Sequence, residues 1–192
     1  MLDFSKATFI KSATMLSQRP EKLLPEICFV GKSNVGKSSL INALTAHKKL
    51  AYTSSKPGYT KLLNYYLIDD RFYLVDAPGY GYTISGSKHL DNFASMMEDY
   101  FFNDNLKAVI FLVDSRHKLS KDDLSFFDFI KENDIPFVLV TTKIDKLNQS
   151  EKAKMQKNVK EIFGDISYFP VSINNKTSIE KLKERIVNLA LG

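Results

Sequence analysis

The chain has 192 residues, 44% hydrophobic and 26% charged, with a formal net charge of +5. This suits one globular domain with its own core and argues against a disordered or collagen-like chain; with Cys28 as the one cysteine, a disulfide scaffold is excluded and a reducing cytoplasmic compartment is expected. The densest apolar run, Ala108–Val113, is too short to span a bilayer, and no secretory signal follows the early Asp3.

In chain order, residues 1–24 mix apolar positions such as Phe4, Phe9 and Ile10 with Pro20 and are expected to form an edge strand or arm. Residues 25–192 are expected to form the core of a single domain. Ile27–Val30 reads as a buried strand, with Cys28 a small hydrophobe inside it. It runs into Gly31-Lys32-Ser33-Asn34-Val35-Gly36-Lys37-Ser38, which fits the phosphate-binding pattern G-x-x-x-x-G-K-[ST]. Leu40, Ile41 and Leu44 then recur at helical spacing, and the basic His47–Lys49 marks the expected helix end. Strand, glycine loop and helix are the context this pattern requires. Gly31 and Gly36 free the backbone to turn and to approach a ligand. The loop amides and helix N-terminus face a phosphate, Lys37 places a charge on β/γ oxygens, and the Ser38 hydroxyl can ligate Mg²⁺.

Residues 50–61 carry loop chemistry. Leu62–Ile68 and Phe72–Val75 read as strands joined by a hairpin turn at Asp69-Asp70. The second strand ends in Asp76-Ala77-Pro78-Gly79, a D-x-x-G in which the acid can hold Mg²⁺ through water and the glycine amide can meet a γ-phosphate. Leu90, Phe93, Met97 and Phe101 suggest a helix. Ala108–Asp114 is the signature of a central parallel strand. Ser120 caps a helix whose inward positions are Leu124, Phe127 and Ile130. Phe137–Thr141 is the next strand, followed by Thr142-Lys143-Ile144-Asp145. Met155, Val159, Ile162 and Phe163 line another helix, Tyr168–Val171 is the last strand, and Thr177 with Glu180 makes a capping box for a final helix with Ile179, Leu182, Ile186 and Leu189 inward.

This alternation predicts an α/β doubly wound, mostly parallel sheet of about six strands with one antiparallel strand and helices on both faces. Ligands in such folds sit beyond the carboxyl ends of the strands, where the glycine loop, Asp76, Asp114 and Asp145 all fall. The T-K-x-D element resembles the base-reading element of GTP-binding proteins. Asp145 would accept from guanine N1–H and the exocyclic amine, where adenine offers an acceptor, and Lys143 would lie along base and ribose.

Glycine loop, D-x-x-G and T-K-x-D in this order resemble the translation-factor-related GTPases and imply a P-loop, Ras-like G domain. The wording is closer to the EngB family of ribosome-biogenesis GTP-binding proteins: Pro25-Glu26-Ile27, Ser54-Ser55-Lys56-Pro57-Gly58, Asp76-Ala77-Pro78-Gly79-Tyr80-Gly81-Tyr82, Asp114-Ser115-Arg116-His117 and Thr142–Lys146 all look like that family's pattern. The resemblance implies that Ser38 and Thr60 ligate Mg²⁺, with Asp76 acting through water. It also implies that Gly58, Tyr59, Thr60, Lys61 and Leu62 belong to the first switch and that Asp76–Gly79 open the second. Lys37, Thr60 and Gly79 would act at the reacting phosphate, and Val171-Ser172-Ile173 would supply the last base contact. Lys61 and Tyr59 depart from the family, which has Gln and a basic residue there.

Tyr80 stands where Ras-like proteins carry the water-orienting Gln, so slow hydrolysis is expected. Asn34 occupies the place of a ligating Asn in potassium-activated relatives, which points to K⁺; the other reading is a turn-stabilising residue. The resemblance further implies a monomeric switch that binds GTP and GDP and assists large ribosomal subunit (50S) assembly, with a link to septation. A metabolic P-loop enzyme and an RNA binder using GTP incidentally are the alternatives. Lys152, Lys154, Lys157 and Lys160 read as a solvated helix face, His47 and His89 as exposed, and His117 as a loop organiser.

Overall fold

The computed structural model describes residues 2–51, 62–80 and 97–192. The strands are β1 (Thr8–Ala13), β2 (Glu26–Gly31), β3 (Leu63–Ile68), β4 (Phe72–Asp76), β5 (Leu106–Asp114), β6 (Phe137–Thr142) and β7 (Tyr168–Pro170). The helices are α1 (Lys37–Thr45), a helical stretch at 97–101 (α2), α3 (Lys121–Glu132), α4 (Gln149–Phe163) and α5 (Lys176–Leu191). Among the described residues the sheet has seven strands in the order β1-β3-β4-β2-β5-β6-β7. β3 pairs antiparallel with both β1 and β4, while β2, β4, β5, β6 and β7 run parallel. The expected single antiparallel strand is therefore β3, and the count exceeds the expected six because β1, the predicted edge strand, joins the sheet.

All six residues of β2 are buried, and β5 is buried from Ala108 to Val113. Both lie mid-sheet with helices on each face, so they read as continuous apolar runs rather than alternating ones. One face packs Leu40, Ile41 and Leu44 of α1 and Ile179, Leu182 and Ile186 of α5. The other packs Met97, Tyr100 and Phe101 of α2, Phe126, Phe127 and Ile130 of α3, and Met155, Val159 and Phe163 of α4. Phe127 and Phe163 meet edge to face at 4.5 Å, which joins α3 to α4 over the sheet.

Several element ends differ from the sequence reading. α1 stops at Thr45, before the basic residues, because Ala46 turns left-handed at φ 56° and the amides of Ala46 and His47 bond back to Ala43 and Asn42. Leu124 is 37% exposed and Phe126 takes its place inward; Ile162 is likewise 40% exposed. The cap of α5 is Asn175, whose side chain accepts from the Ser178 amide, so Thr177 lies inside the helix; Ala190 is buried and Leu189 only half-buried against the core. Ser120 caps α3 as expected, in a capping box with Asp123. The hairpin turns at Asp69-Asp70 as expected, with both residues left-handed at φ 44° and 56° and the Arg71 amide donating to the Ile68 carbonyl, and Ile68 then pairs with Phe72 across the connection. Gly58, Tyr59, Thr60, Lys61, Gly81, Tyr82, His89, Leu90 and Phe93 lie outside the described residues.

Candidate functional site

The carboxyl ends of β2, β4, β5 and β6 bring the predicted motifs to one edge of the sheet. The two loop glycines serve different needs. Gly36 stands at φ +108° as the residue before α1, a conformation side chains rarely adopt. Gly31 ends β2 against β5, and a Cβ there would lie 2.7 Å from the Leu112 carbonyl and 2.9 Å from Val35. Its role is close packing, not a turn. Asn34 is also left-handed, at φ 65°, where Asn is tolerated better than most residues.

Lys37 and Ser38 open α1 beside Asp76 at the end of β4. The Ser38 hydroxyl donates to Asp76 Oδ2 at 2.8 Å, while Asp76 Oδ1 is buried with no hydrogen-bond partner among the described residues. Burial pushes the Asp76 carboxyl above its ordinary value, against the pull of Lys37 and Ser38. Burial also lowers Lys37, and Asp76 opposes that shift. An orphaned carboxylate oxygen next to a serine hydroxyl is a hard-oxygen donor set, which fits Mg²⁺ better than any softer metal.

The D-x-x-G segment lies directly on the glycine loop. The Ala77 amide donates to Phe29, and the Ser33 amide donates to the Tyr80 carbonyl at 3.0 Å. Lys32 and Tyr80 form a parallel bridge. A Cβ on Gly79 would come within 2.9 Å of the Ser33 backbone, so this approach requires glycine. Pro78 is buried with the segment. The Tyr80 side chain is 3% exposed and its hydroxyl donates to Asp123 Oδ1 at 2.9 Å, engaged with α3.

On the other side of the loop, Thr142 and Lys143 clamp it. Thr142 Oγ1 donates to the Val35 carbonyl at 2.8 Å, and Lys143 Nζ donates to the Asn34 carbonyl at 3.0 Å. Lys143 also meets Asp114 Oδ2 at 2.9 Å, and Arg116 grips the same carboxylate through Nε and a terminal nitrogen at 3.0 and 2.8 Å. Burial would raise Asp114, but these donors outweigh it and hold the carboxyl well below the usual range. Asp114 stands at a strand end as expected, whereas Arg116 enters the sequence reading only through the Asp114-Ser115-Arg116-His117 pattern; their pairing after β5 has no periodic signal.

Ile144 and Asp145 follow in a short 3-10 turn. A cleft of about 320 Å³ opens here, between Val35, Gly36 and Leu40 on one side and Lys143, Asp145, Val171 and Ile173 on the other. Ser172 is buried, and its hydroxyl holds the Asp145 carboxyl below its ordinary value. Val171 and Ser172 thus reach the T-K-x-D element although they lie some thirty residues on (about one βα unit away). Leu40, an apolar position of α1, also walls this cleft. Leu62 is half-buried just before β3. His117 is exposed and its amide closes the turn on Asp114, as a loop organiser would. His47 is exposed, with Nε2 2.8 Å from the Ser5 carbonyl.

Comparison with known proteins bears on the family and the fold. Residues 26–143 match the family model described as 50S ribosome-binding GTPase. The chain is 47% identical to a "Probable GTP-binding protein EngB" of Mesoplasma florum, covering 97% of this chain and 96% of the relative. It is 44% identical to the protein of that description from Lactobacillus helveticus, covering 92% and 90%. Among solved structures, a crystal structure titled as a probable GTP-binding protein engB superposes with a TM-score of 0.63 at 24% identity, over 86% of this chain and 98% of that one. Aquifex aeolicus Era bound to GDP·AlF4⁻ superposes with a TM-score of 0.67 at 24% identity, over 89% of this chain and 58% of that one. At these identities the structural matches speak for the fold alone.

Proposed function

The chain belongs to the EngB family of GTP-binding proteins, which are GTPases, and from that membership we propose that it is a slow cytoplasmic switch assisting 50S assembly, with a link to septation. It acts as a monomeric single G domain over residues 1–192. The observation that carries the reading is the clamp of Thr142 and Lys143 on the Val35 and Asn34 carbonyls. It fixes the phosphate loop and the pocket beside Asp145 as one rigid unit, the span a guanine nucleotide needs.

In this reading Gly31–Ser38 cradle the phosphates, and the Lys37 ammonium sits on β/γ oxygens. Ser38, Thr60 and, through water, Asp76 hold Mg²⁺. The ion neutralises charge on the phosphates when bound. The Gly79 amide meets the γ-phosphate, and Thr142–Asp145 with Val171, Ser172 and Ile173 read the base. Gly58–Leu62 and Asp76–Gly79 respond to the γ-phosphate as switches. Hydrolysis is slow because Tyr80 has no side-chain amide to orient water, and its hydroxyl is occupied by Asp123.

A monovalent cation beside Asn34 would supply part of the missing charge. Turnover is expected to be faster in KCl than in NaCl at one ionic strength, and Asn34→Ala should abolish the difference. Equal rates in the two salts for the native protein remove K⁺ from the mechanism.

Support for the ribosomal partner is the family description of residues 26–143 and the compatibility of a net charge of +5 with rRNA phosphates. The test is sedimentation with mature 50S particles and immature precursors in each nucleotide state. Association is expected to be stronger with a GTP analogue than with GDP and to weaken as KCl rises, because phosphate contacts release counterions. Absence of association with both particles, in low salt with the analogue, refutes the ribosomal role and leaves the GTPase.

A further inference from the structure

Beyond the nucleotide site, the face carrying α3 and α4 has a second cleft, of about 480 Å³, at the carboxyl ends of β5 and β6. α4 lines it with Glu151, Lys154, Met155, Asn158 and Ile162, one helical face about 16 Å long. Leu124 of α3 faces it from the other side. The cleft continues past Arg116, His117 and Lys118 into a smaller one of about 240 Å³ against Lys32 and Ser33 of the glycine loop. The two form a track from α4 to the outer wall of the phosphate loop.

The charges along this track do not cancel. Asp114 is gripped by Arg116 and Lys143. Asp123 accepts from Tyr80 and Ser120, and Glu151 accepts from the Asn148 amide in its capping box. Lys32, Lys118 and Lys154 are exposed, and none forms an ion pair among the described residues. Of the charges lining the track, the exposed ones are Lys32, Arg116, Lys118 and Lys154 against Glu151, while Asp114 is half-buried and Asp123 buried, so its solvent-facing side is positive. Its apolar part is small: Leu124 at 37% and Ile162 at 40% are its exposed large hydrophobes. That is too little for an amphipathic partner helix, since a specific protein interface buries roughly 1,000 Å² or more. The larger cleft is nonetheless within the range of about 300–1,000 Å³ that holds a small ring system.

We propose that this track binds single-stranded RNA, with one splayed-out nucleobase between Leu124 and Ile162 and the adjoining phosphates on Lys118 and Lys154. The chemistry matches how proteins take unpaired RNA: a base leaves its stack for a pocket while lysines follow the backbone. Arg116, held flat by its two bonds to Asp114, stands at the junction of the two clefts, where a guanidinium plane suits base stacking. The proposal deepens the ribosomal reading, naming unpaired RNA as the contact of this face.

The test uses the full chain saturated with GDP and a fluorescent single-stranded oligouridylate, with the same length of duplex RNA and polyglutamate as competitors. Lys118→Glu/Lys154→Glu is expected to weaken oligouridylate binding on the order of tenfold or more at low salt. It should also reduce the slope of log affinity against log salt by about 1.4, the value for two phosphates of a single strand. Ile162→Asp is expected to weaken binding with little change in slope. Both variants should keep native affinity for fluorescent GDP, which reports that they are folded. Oligouridylate affinity unchanged in both variants, or absent in the native protein at low salt, overturns the proposal. So does duplex RNA or polyglutamate competing as well as the single strand. If native protein and variants sediment with 50S precursors alike, the track is wrong and the ribosomal role stands. If the variants lose oligouridylate while native protein ignores every ribosomal particle, the track stands and the ribosomal role falls.

Discussion

Asp145→Asn is expected to cost the protein its preference for guanine and confer one for xanthine. The carboxylate accepts two hydrogen bonds from the guanine N1–H and exocyclic amine in the proposed pose. A site that pairs a buried polar group rejects a base unable to pair it by about 10⁴ or more. Xanthine carries an oxygen in place of that amine and needs a donor, which the Asn amide supplies. The surroundings favour the charged native form, since the Ser172 hydroxyl keeps the Asp145 carboxyl below its ordinary value. Competition of GTP, XTP and ATP against fluorescent GDP, in native and variant protein, reads this directly. Equal ATP and GTP affinity in the native protein would contradict the assignment of Asp145.

Ser38→Ala should have the second large effect. The Ser38 hydroxyl and the Asp76 carboxylate meet at 2.8 Å, with the other Asp76 oxygen buried and unpartnered. In the proposed site both point to one Mg²⁺. Removing the hydroxyl takes a direct ligand and leaves Asp76 without its donor, an unfavourable position for a buried carboxyl. A loss of about 10²–10³ in GTP turnover is expected, the scale of deleting one transition-state contact, together with a weaker dependence of GDP release on Mg²⁺. Asp76→Asn should reproduce the weakened Mg²⁺ dependence while keeping the shape of the pocket. Full turnover and unchanged Mg²⁺ dependence in Ser38→Ala would place the ion elsewhere.

The motifs were legible because their chemistry is local. A glycine loop needs its residues at consecutive positions, and a strand closed by Asp76 or Asp114 announces its own carboxyl end. The same holds for Ser120, whose cap on α3 is made with Asp123 three residues later. Helix faces were read less well where two partners compete for one side. Leu124 and Ile162 have helical spacing, but α3 and α4 lean on each other through Phe127 and Phe163. That contact turns Leu124 and Ile162 toward the cleft. At α5 the Thr177–Glu180 pair looked like a cap, yet the side chain that reaches an amide is Asn175. Both choices satisfy the local pattern, and the turn in which the Asn175 amide donates to the Ser172 carbonyl leaves Asn175 at the cap.

Order along the chain thus determined where the motifs lie, because each motif carries its donors within a few residues and each sits at the end of a recognisable strand. Contacts between distant segments had to wait for the fold. Thr142 reaches Val35 and Lys143 reaches Asn34 only because β2, β5 and β6 lie side by side in register. The binding of the Tyr80 hydroxyl to Asp123 and the close approach of Gly79 to Ser33 have the same origin. Spacing in sequence holds no record of which side chains converge when strands separated by dozens of residues pair. Hydrogen bonds and steric limits across the sheet edge decide it, and they placed Asp123, Arg116 and Leu40 around a site that the motifs had only outlined.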